Sequence, residues 1–418
     1  MSNRSLIRSL QNELHVEDVP LARIAADYGT PCYVYSKAIL ARAFNDFAAA
    51  FPTQNTLICY AAKANSNLAI LSLFARLGAG FDIVSEGELR RVIAAGGDPR
   101  KVVFSGVGKR AAEMRAALEQ NILCFNIESE PELLRLADVA RDMGKRAPIS
   151  IRVNPDVDPK THPYIATGLK ENKFGVAFDE ARALYRKAAA LPSIEIIGID
   201  CHIGSQITDV RPFGDALDKV LALVDQLASD GVSLHHIDLG GGIGIQYKDE
   251  VPIALSHYAA TLNARLKGRN YQLIFEPGRS LVGNAGLLLT RVEYIKQGGA
   301  RRFAIVDAAM NDLIRPALYE AYHEVVSIAP REGESATLYD IVGPVCESGD
   351  FLARERLLAL APGDLLAVLS AGAYGSVMSS NYNTRPRPAE IMVDGSSTHL
   401  IRARESVQDL YAHEKLLP

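Results

Sequence analysis

Eight short apolar runs, each followed by a segment of helical period, dominate the middle of this sequence. They lie at 57–62, 81–85, 102–105, 123–127, 149–153, 196–201, 235–239 and 273–276. Their length and their Ile, Val, Phe and Tyr content are those of core strands. The intervening segments, such as Glu86-Gly87-Glu88-Leu89-Arg90-Arg91-Val92-Ile93 and Glu130-Pro131-Glu132-Leu133-Leu134-Arg135-Leu136, are rich in Ala, Leu, Glu and Arg. Strands that alternate with helices predict a parallel sheet, because each helical crossover returns the chain in the same direction. Eight such units over roughly 240 residues have the count and size of a (β/α)8 barrel. An open doubly wound sheet is the competing arrangement. Eight strands without a clear nucleotide fingerprint favour closure.

After about 285 the helical spacers disappear. Strand-like runs follow at 287–295, 303–306, 336–342, 365–369 and 390–394, punctuated by turns such as Ala361-Pro362-Gly363-Asp364. Near the start, a short helical pattern at 20–25 precedes a turn, Tyr28-Gly29-Thr30-Pro31, and a strand-like Cys32-Tyr33-Val34-Tyr35. Ser36 is a plausible N-cap for the helix beginning Lys37-Ala38-Ile39-Leu40. A chain of 418 residues is long for one core. The expected division is an α/β barrel over 36–282 and a mostly β second domain built from 1–35 and 283–418.

Bulk properties exclude several classes of function. The net charge is −4, without a long run of one sign. Nucleic acid is therefore not an expected partner, since phosphate binding needs a basic face. No apolar stretch has the length to span a bilayer and no signal-peptide core opens the chain, so a cytoplasmic protein is expected. The five cysteines form no CxxC pair. Cys59, Cys124 and Cys201 sit in apolar runs and read as small core hydrophobes. Neither a disulfide framework nor a zinc site is expected.

In a barrel of this kind the chemistry sits at the C-terminal ends of the strands. Reactive side chains gather there. Lys63 ends the first strand, Asp82 and Ser85 lie in the second, and Asn154 follows the fifth. His202 follows the sixth, in Cys201-His202-Ile203-Gly204-Ser205-Gln206. Gly240-Gly241-Gly242 follows the seventh, and Glu276-Pro277-Gly278-Arg279 closes the eighth.

Each of these has a bland and a chemical reading. Lys63 either snorkels to solvent or is desolvated by the core behind it, which would lower its pKa and make a nucleophile toward an aldehyde. The triple glycine is either a tight turn or a concavity of backbone amides for a phosphate. Its spacing does not fit G-x-G-x-x-G. Glu276 and Arg279 are either a structural pair or a carboxylate for a protonated pyridine beside a fork for an anion. His202 alone reads as a core histidine. His235 and His236 read as packing residues. In the second domain, Arg315-Pro316-Ala317-Leu318-Tyr319, the loop 343–350 with Cys346 and Glu347, and Ala371-Gly372-Ala373-Tyr374-Gly375 place polar side chains in turn-like settings.

The motifs Tyr60-Ala61-Ala62-Lys63-Ala64-Asn65, His202-Ile203-Gly204-Ser205-Gln206, Gly240-Gly241-Gly242, Glu276-Pro277-Gly278-Arg279 and Cys346-Glu347-Ser348-Gly349 together resemble the fold-type III pyridoxal-phosphate decarboxylases. Asn154-Pro155-Asp156-Val157-Asp158, His162-Pro163-Tyr164-Ile165-Ala166-Thr167-Gly168 and Lys173-Phe174-Gly175 match as well. The resemblance covers nearly the whole chain and is nearest to the branch acting on meso-2,6-diaminopimelate. It implies an alanine-racemase-like barrel, pyridoxal 5'-phosphate as cofactor, release of L-lysine and CO2 as the last step of lysine synthesis, and a homodimer with shared active sites.

Residue roles follow from the same resemblance. Lys63 would hold the cofactor as a Schiff base, and His202 would stack on its ring. Glu276 would pair with the pyridine nitrogen. Ser205, Gly241, Gly278 and Tyr374 would contact the phosphate, with Asp82, Gly242, Pro277 and Arg279 completing the cofactor set. Arg279, Arg315, Tyr319 and Tyr374 would hold the substrate, chiefly its carboxylates, and Glu347 its ammonium. Cys346, supplied by the other subunit, would be the proton donor, so the catalytic set is Lys63, Cys346 and His202. No metal is implied. Sister enzymes acting on ornithine, arginine or lysine tend to carry Cys-Asp where this chain has Cys346-Glu347. A non-catalytic cofactor carrier would be far shorter, and a racemase would lack the Cys-Glu-Ser segment.

Overall fold

The computed structural model describes residues 6–10, 12–52, 55–158, 173–299, 301–331 and 333–418. The motif His162 to Gly168 lies outside them. The chain divides into two compact units, Ala43–Gly244 with Val251–Ser280, and Met1–Arg42 with Ile245–Glu250 and Leu281–Pro418. The helix Lys37–Ala49 straddles the first division. Ile245–Glu250 belongs with the β-rich unit although it lies within the barrel's stretch of sequence.

The first unit is a closed parallel barrel. Its eight strands are Thr56–Ala61, Gly80–Ile83, Val102–Phe104, Cys124–Ile127, Ala147–Asn154, Ile194–Asp200, His236–Asp238 and Gln272–Phe275. Each pairs in parallel with the next, and the eighth pairs with the first through Ile274↔Leu57 and Phe275↔Ile58, which closes the ring. All eight predicted strands are present. Helices follow the strands, and their starts obey local rules. Ser85 accepts from Glu88 N–H and Ser129 from Glu132 N–H, capping the helices Glu86–Ala94 and Glu130–Asp142. Ser36 accepts from Ile39 N–H at 3.1 Å, as its N-cap role requires.

The barrel interior changes character along its axis. Cys59, Val103, Cys124 and Ile274, from the first, third, fourth and eighth strands, form one buried apolar cluster. Toward the strand ends the buried side chains turn polar: Asp82, Asn126, Arg152, Asp200, Asp238 and Glu276. Phe275 of the eighth strand forms an aromatic cluster with Phe47, Phe51 and Tyr258, and its ring lies 4.6 Å from that of Phe51.

Of the two histidines before the glycines, one is the packing residue expected and the other is not. His236 is buried, but His235 is exposed, because the strand begins only at His236. The His236 ring packs against Gly198, where an added Cβ would lie 2.0 Å from Nε2. Burial lowers its pKa to about 4. The unfolded chain therefore takes up a proton below about pH 6.5 that the folded chain refuses until about 4. Stability should fall across that window by about 3 kcal/mol through this residue. His236→Leu should remove that share of the loss, read as the difference in denaturation free energy between the two proteins at pH 7 and pH 4.

The second unit is mostly β. One sheet runs Phe351–Leu358, Thr337–Val342, Arg301–Val306, Gly286–Gly298, Cys32–Ser36, Ala389–Asp394 and Ser397–Arg402 in spatial order. The 13-residue strand Gly286–Gly298 is its spine. Its first half pairs with Cys32–Ser36 and with Leu365–Val368, and its second half with Arg301–Val306. Tyr33 and Tyr35 are fully buried, and their hydroxyls donate to Asp312 O and Glu390 Oε2 at 2.6 and 2.7 Å. A small three-stranded sheet over Ile7–Leu10, Glu13–Val16 and Val19–Pro20 was not foreseen. Among the described residues no helix is long and apolar enough to cross a membrane.

Candidate active site

Lys63 sits in a single 3-10 turn, Ala62–Ala64, directly after the first barrel strand. Its Nζ donates to Asp82 Oδ2 at 2.7 Å. Asp82 is fully buried in the neighbouring strand, where Ala61 and Asp82 are register partners. Lys63 itself is 38% exposed. The expectation of an amine desolvated by apolar neighbours is therefore replaced by an amine aimed by a buried carboxylate.

Glu276 leaves the end of the eighth strand pointing into the barrel mouth. Its Oε1 accepts from Asn126 Nδ2 at 3.3 Å and Ser105 Oγ at 3.4 Å. One oxygen each of Asp200, Asp238 and Glu276 lies within 4.8 Å of the others, all buried. Burial, then the charges of Asp238 and Asp82, push the Glu276 carboxyl well above the usual range, opposed by Lys63. Asp238 is pushed up to about 7 by burial, against a bond from Gly240 N–H to its Oδ1 at 2.9 Å. Like charges this close raise one another's pKa, so ionising one carboxyl opposes ionising the next.

The triple glycine forms a cradle that admits no side chain. Gly240 and Gly242 take left-handed backbone angles, φ 62° and 106°. A Cβ on Gly241 would stand 2.3 Å from the Glu276 carbonyl oxygen. Only glycine fits so close an approach. Gly241 N–H donates to His202 Nδ1 at 3.1 Å, so that nitrogen carries the lone pair. Burial, with the charges of Arg152 and Lys63, holds His202 well below its usual pKa. The result is a flat, neutral ring of one tautomer. Arg279 donates to Ser205 Oγ at 3.2 Å, placing a guanidinium and a hydroxyl together. Pro277 contributes its carbonyl, which accepts from Ala61 N–H at 3.2 Å, and Gly278 packs against the Ala61 and Ala64 methyls.

These residues fit pyridoxal phosphate. A primary amine suits the aldehyde, and a buried carboxyl suits the ring nitrogen. A neutral imidazole suits the ring face. The Ser205 hydroxyl and the Arg279 guanidinium suit the phosphate, beside a glycine turn that admits close approach.

The remaining predicted residues lie in the β-rich unit. Arg315 and Tyr319 begin and end a short helix. Arg315 is buried and Tyr319 half-buried. Tyr374 is half-buried with a left-handed φ of 55°, a costly conformation for an aromatic residue. Cys346 and Glu347 are exposed on one loop. Asp350 pins that loop, accepting from Met310 N–H at 2.7 Å and Val345 N–H at 2.8 Å. Cys346 N–H donates to Asn383 Oδ1 at 2.8 Å, and Glu347 accepts from Tyr382 OH at 2.7 Å. The other four cysteines are buried.

Sequence reasoning missed the support beneath the mouth. Arg152 pairs with Glu128 at 3.5 Å and lies 3.9 Å from Asp200. Glu128 also accepts from Gly106 N–H and Gly175 N–H at 2.8 and 2.9 Å. The signal was present as charges inside apolar strands, in Ile-Ser-Ile-Arg-Val and His-His-Ile-Asp-Leu.

Comparison with known proteins agrees with this geometry. Residues 37–283 match the family model described as pyridoxal-dependent decarboxylase, pyridoxal binding domain. A diaminopimelate decarboxylase of Pseudomonas aeruginosa is 61% identical over 97% of this chain and 98% of its own. One from Vibrio cholerae is 58% identical over 97% of each. The crystal structure of diaminopimelate decarboxylase from Helicobacter pylori complexed with L-lysine superposes with a TM-score of 0.91 at 44% identity, covering 94% of this chain and 99% of that one. The barrel with its β-rich companion is thus the alanine-racemase-like decarboxylase architecture. The chain belongs to the pyridoxal-dependent decarboxylases, in their diaminopimelate decarboxylase branch.

Proposed function

We propose that this chain decarboxylates meso-2,6-diaminopimelate to L-lysine and CO2 as a cytoplasmic homodimer, with Lys63 as the cofactor anchor and Cys346 as the proton donor. The reaction is the final step of lysine biosynthesis and depends on pyridoxal phosphate. One observation carries the assignment of the site: an amine aimed by a buried carboxylate shares the barrel mouth with a buried carboxyl bonded to Asn126 and Ser105 and with a glycine cradle. The substrate follows from near-full-length likeness to enzymes named for it, one of them holding L-lysine.

Bound pyridoxal phosphate supplies a cationic conjugated ring that takes up the electron pair left at Cα when CO2 departs. The rest is the work of side chains. Asp82 Oδ2 holds the Lys63 amine, which would bond to the aldehyde. Glu276, held by Asn126 and Ser105, would pair with the ring nitrogen and stabilise its cationic form. The neutral His202 covers the ring face without adding charge. Ser205, Gly241, Gly242, Gly278, Arg279 and Tyr374 hold the phosphate.

Two guanidiniums, Arg279 and Arg315, with Tyr319 suit a substrate bearing two carboxylates. Glu347 meets the distal ammonium. Cys346 Sγ donates the proton that Cα needs after CO2 has left. Its exposure on a single chain is the condition for serving a partner's site.

The direct test is purified protein with pyridoxal phosphate and meso-diaminopimelate, with detection of L-lysine and CO2. Turnover should exceed that on ornithine or lysine on the order of 10²-fold or more, because unmatched buried guanidiniums penalise a monocarboxylate. Comparable rates on ornithine would overturn the substrate assignment.

A further inference from the structure

Arg315 does not stand alone. Its Nη1 lies 3.0 Å from His323 Nε2. The other ring nitrogen, Nδ1, lies 2.8 Å from the Leu369 carbonyl oxygen. A carbonyl can only accept and a guanidinium can only donate. Nδ1 therefore carries the hydrogen and Nε2 the lone pair. Both ends of His323 are committed, and only the neutral ring of this one tautomer satisfies them. An imidazolium would set N–H against N–H.

The guanidinium has a second support. Its central carbon stands 4.7 Å from the centre of the Tyr247 ring, a cation–π contact. Tyr247 meets His323 edge-on, with centroids 5.4 Å apart and an interplanar angle of 80°. Tyr247 comes from the segment Ile245–Glu250, which Glu250 closes by accepting from Tyr247 N–H at 3.0 Å and Lys248 N–H at 2.7 Å. Arg356 donates to the His323 carbonyl at 3.1 Å and so holds its backbone. His323 is 0%, Tyr247 4% and Arg315 6% exposed.

We infer that His323 and Tyr247 are positioning residues for substrate recognition: the neutral imidazole takes one N–H of the Arg315 fork, the tyrosine face fixes its plane, and together they aim the guanidinium at a substrate carboxylate. This rests on the reading of Arg315 as a carboxylate-binding residue. A planar fork pays for binding only when its plane is set beforehand. As positioning residues their loss should act through Arg315.

The test is steady-state kinetics of holoenzyme variants on meso-diaminopimelate. His323→Phe keeps an aromatic body and deletes the acceptor. It should raise KM about tenfold, the effect of losing one bond to a charged group, with the smaller share of the loss in kcat. His323→Gln, which keeps an acceptor at similar reach, should recover most of it. In an Arg315→Lys background, already of high KM, His323→Phe should add less than about twofold, because the pair acts as one unit. A merely structural histidine would add its full effect there. Should His323→Phe fail to fold, Tyr247→Leu carries the test, with KM raised about threefold. If Arg315→Lys itself leaves KM unchanged, the reading of Arg315 fails. If Arg315→Lys raises KM while His323→Phe and Tyr247→Leu leave it within about twofold, the positioning inference is overturned.

Discussion

Lys63→Ala should abolish the visible absorption band of covalently held pyridoxal phosphate and lower turnover by at least about 10³-fold, the scale of losing a covalent catalytic group. The argument is local. Nζ is held 2.7 Å from a carboxylate with no exposed surface. Asp82 has one oxygen on Lys63 and its other, Oδ1, without a hydrogen-bond partner. Removing the amine strands that buried charge, so Lys63→Ala should also lose some stability. The spectrum separates the two effects. A folded variant that binds the cofactor without the band identifies Lys63 as the anchor. A folded variant that keeps the band means another amine holds it.

Cys346→Ala should retain the band and lose about 10²- to 10⁴-fold in turnover, the usual share of a positioned general acid. Cys346 is the one exposed cysteine, and the pinned loop around Asp350 holds it in place. Mixing gives a sharper test of site sharing. Inactive Lys63→Ala and inactive Cys346→Ala chains, exchanged with one another, should regain roughly a quarter of wild-type activity. Random pairing makes about half the dimers hybrid, and each hybrid has one site with both residues intact. Absence of any recovery after proven exchange would mean that each site is completed within a single chain.

The barrel was legible because its eight strands are central and buried on both sides, which writes them as continuous apolar runs. The edges of the second unit were not. Phe351–Leu358 and Ser397–Arg402 lie at the two ends of their sheet and carry Arg-Glu-Arg and Thr-His faces that read as loop. The site's reactive residues stood out by lying at strand ends. Asp200, Asp238 and Arg152 did not, because one inward polar residue in an apolar strand looks like ordinary alternation until the strands are wrapped into a ring. Tyr247 and His323 were invisible for a different reason. Nothing near 247 says that its ring will lie against a guanidinium from 315. The exposed His235 shows the opposite error, a residue assigned to a strand that starts one position later.

Closure of the barrel has a consequence for how the protein is made. Lys63 stands at the end of the first strand and Glu276 at the end of the eighth, neighbours only across the seam where Phe275 meets Ile58. More than two hundred residues separate them along the chain. Pairing them pays the entropy of a very long loop, and contacts of such separation slow folding. A growing chain cannot bring Lys63 and Glu276 together until the eighth strand is in place. A cofactor held by the proposed pair Lys63 and Glu276 would need the closed ring, and its binding energy would then be added, by mass action, to that joint.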